Sequence, residues 1–363
     1  MDIHLIPGVE ATAEERAAVD DLLGPRSETS VYGSAVRFGQ EAREDRHLLL
    51  PALWAVQRRI GFISPGALNY ICEQLMVPPA EAYGVASFYA LFSLEPTPPR
   101  VVHVCDDLAC RVNGAREVCR ALEERVGHDG APTVDGAATW KRSPCLGMCE
   151  RAPVAFVQQA GPMPIESTVV SATAESIIAA VLGETPQPPP VAERNGSAAA
   201  PQTAEPERHI LRLLSRVGQV DPTSLDEYRA AGGYAALRRA FEIGPVGVIR
   251  EVTDSGLLGR GGAAFPTGLK WQAVAASPVR PHYLVANADE SESGTFKDRV
   301  LMEEDPFATV EAMTIAGYAT GCERGYLYIR GEYSLATSRL QSAIDVARRR
   351  GFLGKNIMDE GMN

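Results

Sequence analysis

Residues 184–207 read Glu-Thr-Pro-Gln-Pro-Pro-Pro-Val-Ala-Glu-Arg-Asn-Gly-Ser-Ala-Ala-Ala-Pro-Gln-Thr-Ala-Glu-Pro-Glu, proline, alanine and polar side chains with no apolar period. Such a stretch cannot build a core of its own. A chain of 363 residues that contains it must fold as separate bodies on either side, and 184–207 is expected to be a protease-sensitive linker. Charge narrows the class further. Thirty-five basic side chains stand against forty-six acidic ones, a formal charge of −11. A general nucleic-acid or anionic-membrane binder would need a basic face instead. No apolar run reaches the roughly 18–20 residues that cross a bilayer, and even Ser176-Ile-Ile-Ala-Ala-Val-Leu182 is short. The opening Met1-Asp-Ile-His-Leu-Ile-Pro-Gly lacks the basic region and the long apolar stretch of a secretory signal. The expectation is a cytoplasmic chain without a direct membrane span and without a nucleic-acid partner.

Residues 1–45 are polar and weakly patterned and are read as a variable arm. Over 46–98 the pattern is helical: Leu49, Leu53, Val56 and Ile60 form one stripe. Ser64 and Pro65 suit the N-cap and first turn of a second helix, with Leu68, Ile71, Cys72 and Leu75 on one face. Val77-Pro78-Pro79 interrupts, and a third helix carries Val85, Phe88, Tyr89 and Phe92. From 99 to 183 a strand at Val101–Val104 precedes a helix over 114–126, with Val118, Cys119, Leu122 and Val126 inward. Strands at 138–142 and 154–157 and a helix at 174–182 complete a small α/β domain.

Beyond the linker, 208–363 alternates helices and strands. Helices are expected at 245–255, 267–275, 306–321 and 334–349, with a buried strand at Tyr283–Ala286 and another at Tyr326–Ile329. That order suits a parallel, Rossmann-like sheet.

Seven cysteines are unevenly placed: Cys105 and Cys110, then Cys145 and Cys149, with Cys72, Cys119 and Cys322 alone. Disulfides are not expected in a reducing compartment, so two close pairs read first as a metal or cluster site. Thiolates suit zinc or iron–sulfur clusters; irregular spacing favours a [2Fe–2S] rhomb over a structural zinc site. The competing reading is four thiols that merely pack. Cys72 and Cys119 fall on apolar helix faces and Cys322 ends a helix, so all three are read as structural. His103, alternating with Val102 and Val104, is expected to face solvent or a neighbouring strand and ranks below the cysteines as a ligand.

The run Val101-Val-His-Val-Cys-Asp-Asp-Leu-Ala-Cys-Arg-Val-Asn-Gly-Ala115, followed by Cys145-Leu-Gly-Met-Cys-Glu-Arg-Ala-Pro153, resembles the thioredoxin-like [2Fe–2S] subunit of respiratory complex I. Val85-Ala-Ser-Phe-Tyr-Ala-Leu-Phe92 is similar to the end of that subunit's N-terminal helices. The resemblance covers roughly 46–183 and implies that Cys105, Cys110, Cys145 and Cys149 ligate a [2Fe–2S] cluster. Asp106-Asp107 departs from the small residues usual there, a change expected to act on the cluster's potential rather than its presence.

Gly259-Arg-Gly-Gly-Ala-Ala-Phe-Pro-Thr-Gly-Leu-Lys270 is a glycine loop before a helix, where backbone can approach a phosphate or a flat ring. Its glycines do not match the dinucleotide pattern G-x-G-x-x-G. Asn287-Ala-Asp-Glu-Ser-Glu292 puts carboxylates in a loop after a strand, suited to ribose or ribityl hydroxyls or else simply solvated. Together with Gly325-Tyr-Leu-Tyr-Ile-Arg-Gly-Glu-Tyr333, these resemble the flavin subunit of complex I and of the diaphorase modules of NAD-linked hydrogenases and formate dehydrogenases. The resemblance implies FMN held by Gly259, Arg260, Gly261, Gly262, Lys270, Asn287, Asp289, Glu290, Tyr328, Gly331 and Glu332. NADH, the substrate, would stack on Phe265 and hydrogen-bond Glu292. No side chain takes a catalytic role, because the flavin mediates hydride transfer. Ala264 stands where the family usually has glycine, and Ser293 where it usually has proline.

The fold class implied is α/β: a helical subdomain and a thioredoxin-like [2Fe–2S] ferredoxin domain, the linker, then a partial Rossmann-like FMN-binding domain. That family's flavin subunit continues through the rest of the FMN fold, a ubiquitin-like domain and a [4Fe–4S] domain, so 208–363 resembles only its front part. The implied function is electron input from NADH to FMN to iron–sulfur clusters, as one component of an NADH:acceptor (quinone) oxidoreductase. The chain alone is expected to bind FMN weakly. Implied partners are the remaining flavin-subunit polypeptide and further redox subunits, through which the chain would sit peripherally at the inner face of the cell membrane. A diaphorase of a hydrogenase or formate dehydrogenase is the same-class alternative. A [2Fe–2S] carrier or assembly module without catalysis is the alternative from another class, with a structural zinc module third.

Overall fold

The computed structural model describes residues 5–24, 41–183, 211–260 and 262–362; the expected linker and Gly261 lie outside the described residues. The chain divides into two compact units, Met1–Pro189 and Pro190–Asn363. Among the described residues no helix is long and apolar enough to cross a membrane.

The first unit opens with α1 (Ala13–Leu23), inside the stretch read as a variable arm. Its start is fixed by a capping box: Thr12 accepts from the Glu15 amide and Glu15 accepts from the Thr12 amide. Ala18 and Val19 of α1 are buried in the same cluster as α2 (Leu49–Ile60) and α3 (Pro65–Leu75). The arm reading is therefore corrected over 13–23. Ser64 caps α3 by accepting from the Ala67 amide, and Leu68, Ile71, Cys72 and Leu75 are buried as their spacing requires. α4 (Pro79–Phe88) stops short of Tyr89 and Phe92, which were expected within it. Phe92 instead sets its ring edge against Trp54, with centroids 5.7 Å apart.

A four-stranded sheet follows, of β1 (Arg100–Cys105), β2 (Ala138–Ser143), β3 (Val154–Gln159) and β4 (Ile165–Val170), in the order β2-β1-β3-β4. β1 and β2 are parallel; β3 runs antiparallel to both β1 and β4. The short α5 (Leu108–Val112) leaves the end of β1. α6 (Ala115–Arg125) and α7 (Ala174–Leu182) supply Val118, Leu122, Ile177 and Val181 to the core over Val102, Val104 and Trp140. His103 lies on the other side of the pleat, buried, its Nε2 2.7 Å from Gln158 Oε1 on β3. Of its two expected surroundings it has the neighbouring strand, and burial pushes its pKa down to about 4.

The second unit holds α8 (Leu225–Ala230), α9 (Ala235–Asp254), α10 (Thr267–Ala276), α11 (Lys297–Glu304), α12 (Pro306–Thr320) and α13 (Ser334–Arg349). Gly244, at φ +71°, breaks α9, and Pro245 starts its second half. β5 (His282–Ala288) and β6 (Cys322–Ile329) pair in parallel. Leu327, Ile329 and Ala288 face a core with Tyr333, Ala336 and Leu340. The expectation of a buried strand at 283–286 is corrected on its opposite face, where Tyr283 is 53% and Val285 60% exposed. Parallel strands in globular proteins are covered on both faces; among the described residues, helices cover one.

Gly268 shows how closely α10 approaches α9. A Cβ there would lie 2.1 Å from Thr253 Oγ1 and 2.7 Å from Thr253 Cα. Backbone cannot yield as a side-chain tip can, so Gly268→Ala is expected to cost about 1–3 kcal/mol by overpacking. Chemical denaturation of the parent and the variant checks this; equal midpoints would show that the two helices can part freely.

Candidate functional site

The parallel pairing of β1 and β2 builds the cysteine site. Cys105 ends β1 in register with Ser143 at the end of β2, so both strands release their loops at the same edge of the sheet. The first loop runs through α5, which carries Cys110; the second carries Cys145 and Cys149. Cys105, Cys110 and Cys145 are buried and Cys149 is half-buried, and among the described residues no disulfide joins any cysteine. The Cys145 and Cys149 sulfurs are 3.4 Å apart, and Cys105 hydrogen-bonds both Cys110 and Cys145. The structure thus brings together all four thiols expected to act as ligands.

Their electrostatics are those of crowded thiols. The Cys110 hydrogen bond and burial push Cys105 up to about 11, while the same bond lowers Cys110. The Cys105 bond and burial raise Cys145. Crowded thiols resist joint ionisation until a cation replaces their protons. Among the described residues no group of three or more such side chains is placed to hold a single metal ion. A [2Fe–2S] cluster uses four thiolates shared between two irons, and the donor set fits that group. Backbone amides already point at the sulfurs: Gly147 donates to Cys145 at 3.4 Å, Asp107 to Cys105 and Val154 to Cys110. Leu91, Leu146, Val154 and Phe156 form an apolar cup around the thiols, with Trp54 and Met148 against it. Sequence reasoning missed this cup because its residues come from segments far apart. The other cysteines take structural places: Cys72 and Cys119 are fully buried, and Cys322 Sγ lies 3.0 Å from Thr320 Oγ1.

In the second unit the parallel pair β5–β6 again sends two loops from one sheet end. Asn287 is in register with Tyr328, and Asn287 Oδ1 accepts from the Asp289 amide at 3.1 Å. Beyond the strands the loops join: Arg330 donates to the Glu290 carbonyl at 3.2 Å and pairs with Glu332 at 2.8 Å. The Glu290 carboxylate is buried. It accepts from the Asp298 amide (2.7 Å), the Arg299 amide (3.1 Å) and the Tyr333 hydroxyl (3.1 Å). It therefore secures the start of α11, and holding the loop is a task that its motif did not reveal. Arg330 and Tyr333, quoted within their motif, and Arg299 were given no role from the sequence; Arg299 is buried and pairs with Glu303 at 3.2 Å.

The glycine loop closes on itself: Gly259 donates to the Phe265 carbonyl and Thr267 to the Leu257 carbonyl, both at 2.9 Å. Arg260, Gly262, Phe265 and Lys270 are exposed on it or on α10 behind it. Gly262 has φ +86° and Ala264 φ +49°, so Ala264 occupies a left-handed backbone position that glycine adopts without strain. Asp289 is half-buried, while Glu292, Ser293 and Gly331 are exposed. Polar loops with exposed amides, carboxylates and cations of this kind fit a phosphate-bearing, hydroxyl-rich ligand such as FMN.

Comparison with known proteins agrees with this two-part organisation. Residues 37–181 match the thioredoxin-like [2Fe–2S] ferredoxin family, and residues 252–359 match the Nuo51 FMN-binding domain. An NADH-quinone oxidoreductase subunit of Aquifex aeolicus (strain VF5) is 47% identical over 151 residues, 42% of this chain and 35% of that protein. The alpha subunit of the NAD-reducing hydrogenase HoxS of Cupriavidus necator is 31% identical over 325 residues, 87% of this chain and 51% of that protein. The crystal structure of an NAD+-reducing [NiFe]-hydrogenase in the air-oxidized state is similar with a TM-score of 0.62 at 26% identity, covering 84% of this chain and 49% of that one. The chain thus spans about half or less of the length of these relatives. The chain is thus a thioredoxin-like [2Fe–2S] domain, matched over residues 37–181, followed by an FMN-binding domain of the Nuo51 kind, matched over 252–359.

Proposed function

We propose that this chain is an electron-input component of an NADH dehydrogenase module: NADH reduces FMN, and iron–sulfur centres, one of them held by residues 37–181, carry the electrons on. The observation that carries this reading is the pairing, in one chain, of four converging thiols with a Nuo51-type domain. FMN, when bound, converts a hydride into single electrons. The protein's part is binding and orientation. Cys105, Cys110, Cys145 and Cys149 would hold the cluster. Arg260 and Lys270 beside the start of α10 offer positive charge to a phosphate. Asn287, Asp289 and Glu332 stand at the sheet end where ribityl hydroxyls need acceptors, and exposed Phe265 can stack on a nicotinamide. The uncovered face of β5–β6, with Tyr283 and Val285, fits a partner that covers the sheet. The relatives are subunits by name, which supports a place in a multi-subunit complex.

A diaphorase of a hydrogenase is the second reading, and one observation favours it. The match to the HoxS alpha subunit runs over 87% of the chain, across both units. Anaerobic reconstitution with iron, sulfide and FMN tests the shared core. The expected product of the chain alone shows iron–sulfur absorption and a reduced-cluster paramagnetic signal; full flavin absorption and NADH-dependent ferricyanide reduction are expected once the rest of the flavin subunit is added. A chain that takes up zinc but neither iron nor flavin would overturn both readings. Co-purified nickel–iron hydrogenase activity, or quinone reduction instead, separates one from the other.

A further inference from the structure

Asp106 and Asp107 follow Cys105 directly in the first cysteine loop, and the structure uses the two differently. The Asp106 carboxylate lies between guanidiniums, 3.0 Å from Arg111 Nε and 2.9 Å from Arg142 Nη1. The Asp107 carboxylate joins backbone to backbone. Its Oδ1 accepts from the Leu108 amide at 2.6 Å and so caps α5, the turn that carries Cys110. Its Oδ2 accepts from the amide of Cys145, in the other loop, at 3.2 Å. The Asp107 amide meanwhile donates to the Cys105 sulfur. One residue thereby contacts two of the four cysteines and caps the turn that carries a third.

We infer that Asp107 is a positioning residue for the cluster: its carboxylate clamps the Cys145 loop to the Cys105–Cys110 loop and, as a fixed negative charge there, holds the reduction potential down. The inference rests on the proposed [2Fe–2S] site. Cluster potential follows net charge, hydrogen bonds to sulfur and exposure. Asp107 acts on the first two. It occupies the Cys145 amide, which is then turned to a carboxylate and not to a sulfur. An electron added among four thiolates also meets a like charge at short range, beside the apolar cup of Leu91, Leu146 and Phe156, where charges interact more strongly than in water. Groups that orient metal ligands from behind typically change metal affinity about 10–100-fold when removed.

The test is a redox titration of the reconstituted full chain, read by the paramagnetic signal of the reduced cluster, with cluster release to a ferrous chelator timed in parallel. Asp107→Asn removes the charge and leaves one acceptor oxygen for two amides, those of Leu108 and Cys145, so one of them loses its partner. Its midpoint potential is expected to move positive and its cluster to leave about 10-fold faster. Asp107→Ser keeps a hydroxyl cap for α5 but has neither charge nor reach to Cys145, and the same positive shift is expected. Asp107→Glu, which keeps the charge, should stay nearer the parent potential. Asp135→Asn removes an equal charge at the turn before β2, the strand end opposite the cysteine loops, and should leave the potential alone. A role in helix capping alone predicts near-parent stability and no shift in potential for Asp107→Asn and Asp107→Ser, since both side chains can still cap α5. Should neither neutral variant assemble a cluster while Asp107→Glu does, the clamp stands. A parent chain that takes up no cluster overturns the proposed function and this inference with it. A parent cluster whose potential ignores both neutral substitutions overturns this inference alone.

Discussion

Serine at Cys145 removes or reshapes the paramagnetic signal of the reduced cluster, and serine at Cys119 leaves it as it was. Cys145 stands at the centre of the thiol set: its sulfur is 3.4 Å from Cys149, hydrogen-bonds Cys105 and accepts from the Gly147 amide. A serine oxygen is harder and forms shorter bonds to iron than a thiolate, so the substitution changes both ligand field and fit. Cys105 and Cys110 should respond as strongly, since each is buried within the same cup. Cys119 lies instead in the apolar core beneath the sheet, and Cys72 in the helical core, where burial pushes its thiol up to about 11. Neither can reach a cluster without unfolding its surroundings. Iron and sulfide content with the low-temperature spectrum of each variant decide the matter. A Cys145→Ser chain with full iron and sulfide and an unchanged spectrum would sink the ligand assignment.

The contrast between those cysteines was legible because thiol chemistry and helix faces are local properties. The same holds for the Ser64–Pro65 helix start and for Leu49, Leu53 and Val56, whose spacing places them along one stripe of α2, with Leu53 and Val56 fully buried. What escaped depended on distant partners or weak pattern. β4 is an edge strand reading Ile-Glu-Ser-Thr-Val-Val, mostly half-buried, so its alternation is faint. α11 begins where Glu290, eight and nine residues earlier, accepts from its first amides, and no residue beside it announces a cap. α1 offered a readable sign in Thr12 and Glu15, but its apolar face is too thin to stand out. Asp107 drew notice only as a departure, because its second partner lies 38 residues away. The cofactor loops show the same division. Residue types named the chemistry and element order the parallel sheet, whereas the joining of the Glu290 and Arg330 segments depends on the register of β5 against β6, which the order does not specify.

Glu311→Ala is expected to destabilise the second unit by about 3–5 kcal/mol. Glu311 lies buried on α12, behind the β5–β6 pair, and its carboxylate gathers three donors from another part of the fold. Tyr228 Oη donates at 2.5 Å, the Tyr234 amide at 2.7 Å and the Leu237 amide at 3.0 Å. Two of these are the open amides at the start of α9, so one side chain caps that helix from outside. Tyr234 also sits at φ +63°, a left-handed backbone position that a tyrosine holds only when its surroundings impose it. Alanine leaves all three donors buried without an acceptor, at about 1–3 kcal/mol each before relaxation. Glutamine keeps one oxygen and should fall between; Tyr228→Phe, which removes a single donor, should cost about 1 kcal/mol. For a unit of this size each kcal/mol lowers the melting temperature by about 2–4 °C, so the alanine variant should melt roughly 10 °C earlier. α12 packs against β5 and β6, and the loops at 287–292 and 330–332 leave the ends of those strands, so retained flavin should fall with the same transition. The paramagnetic signal of the other unit should persist through it. Calorimetry of parent and variants reads the result. An alanine variant within 1 kcal/mol of the parent would mean that water reaches the three donors and that α9 is held by its apolar contacts alone.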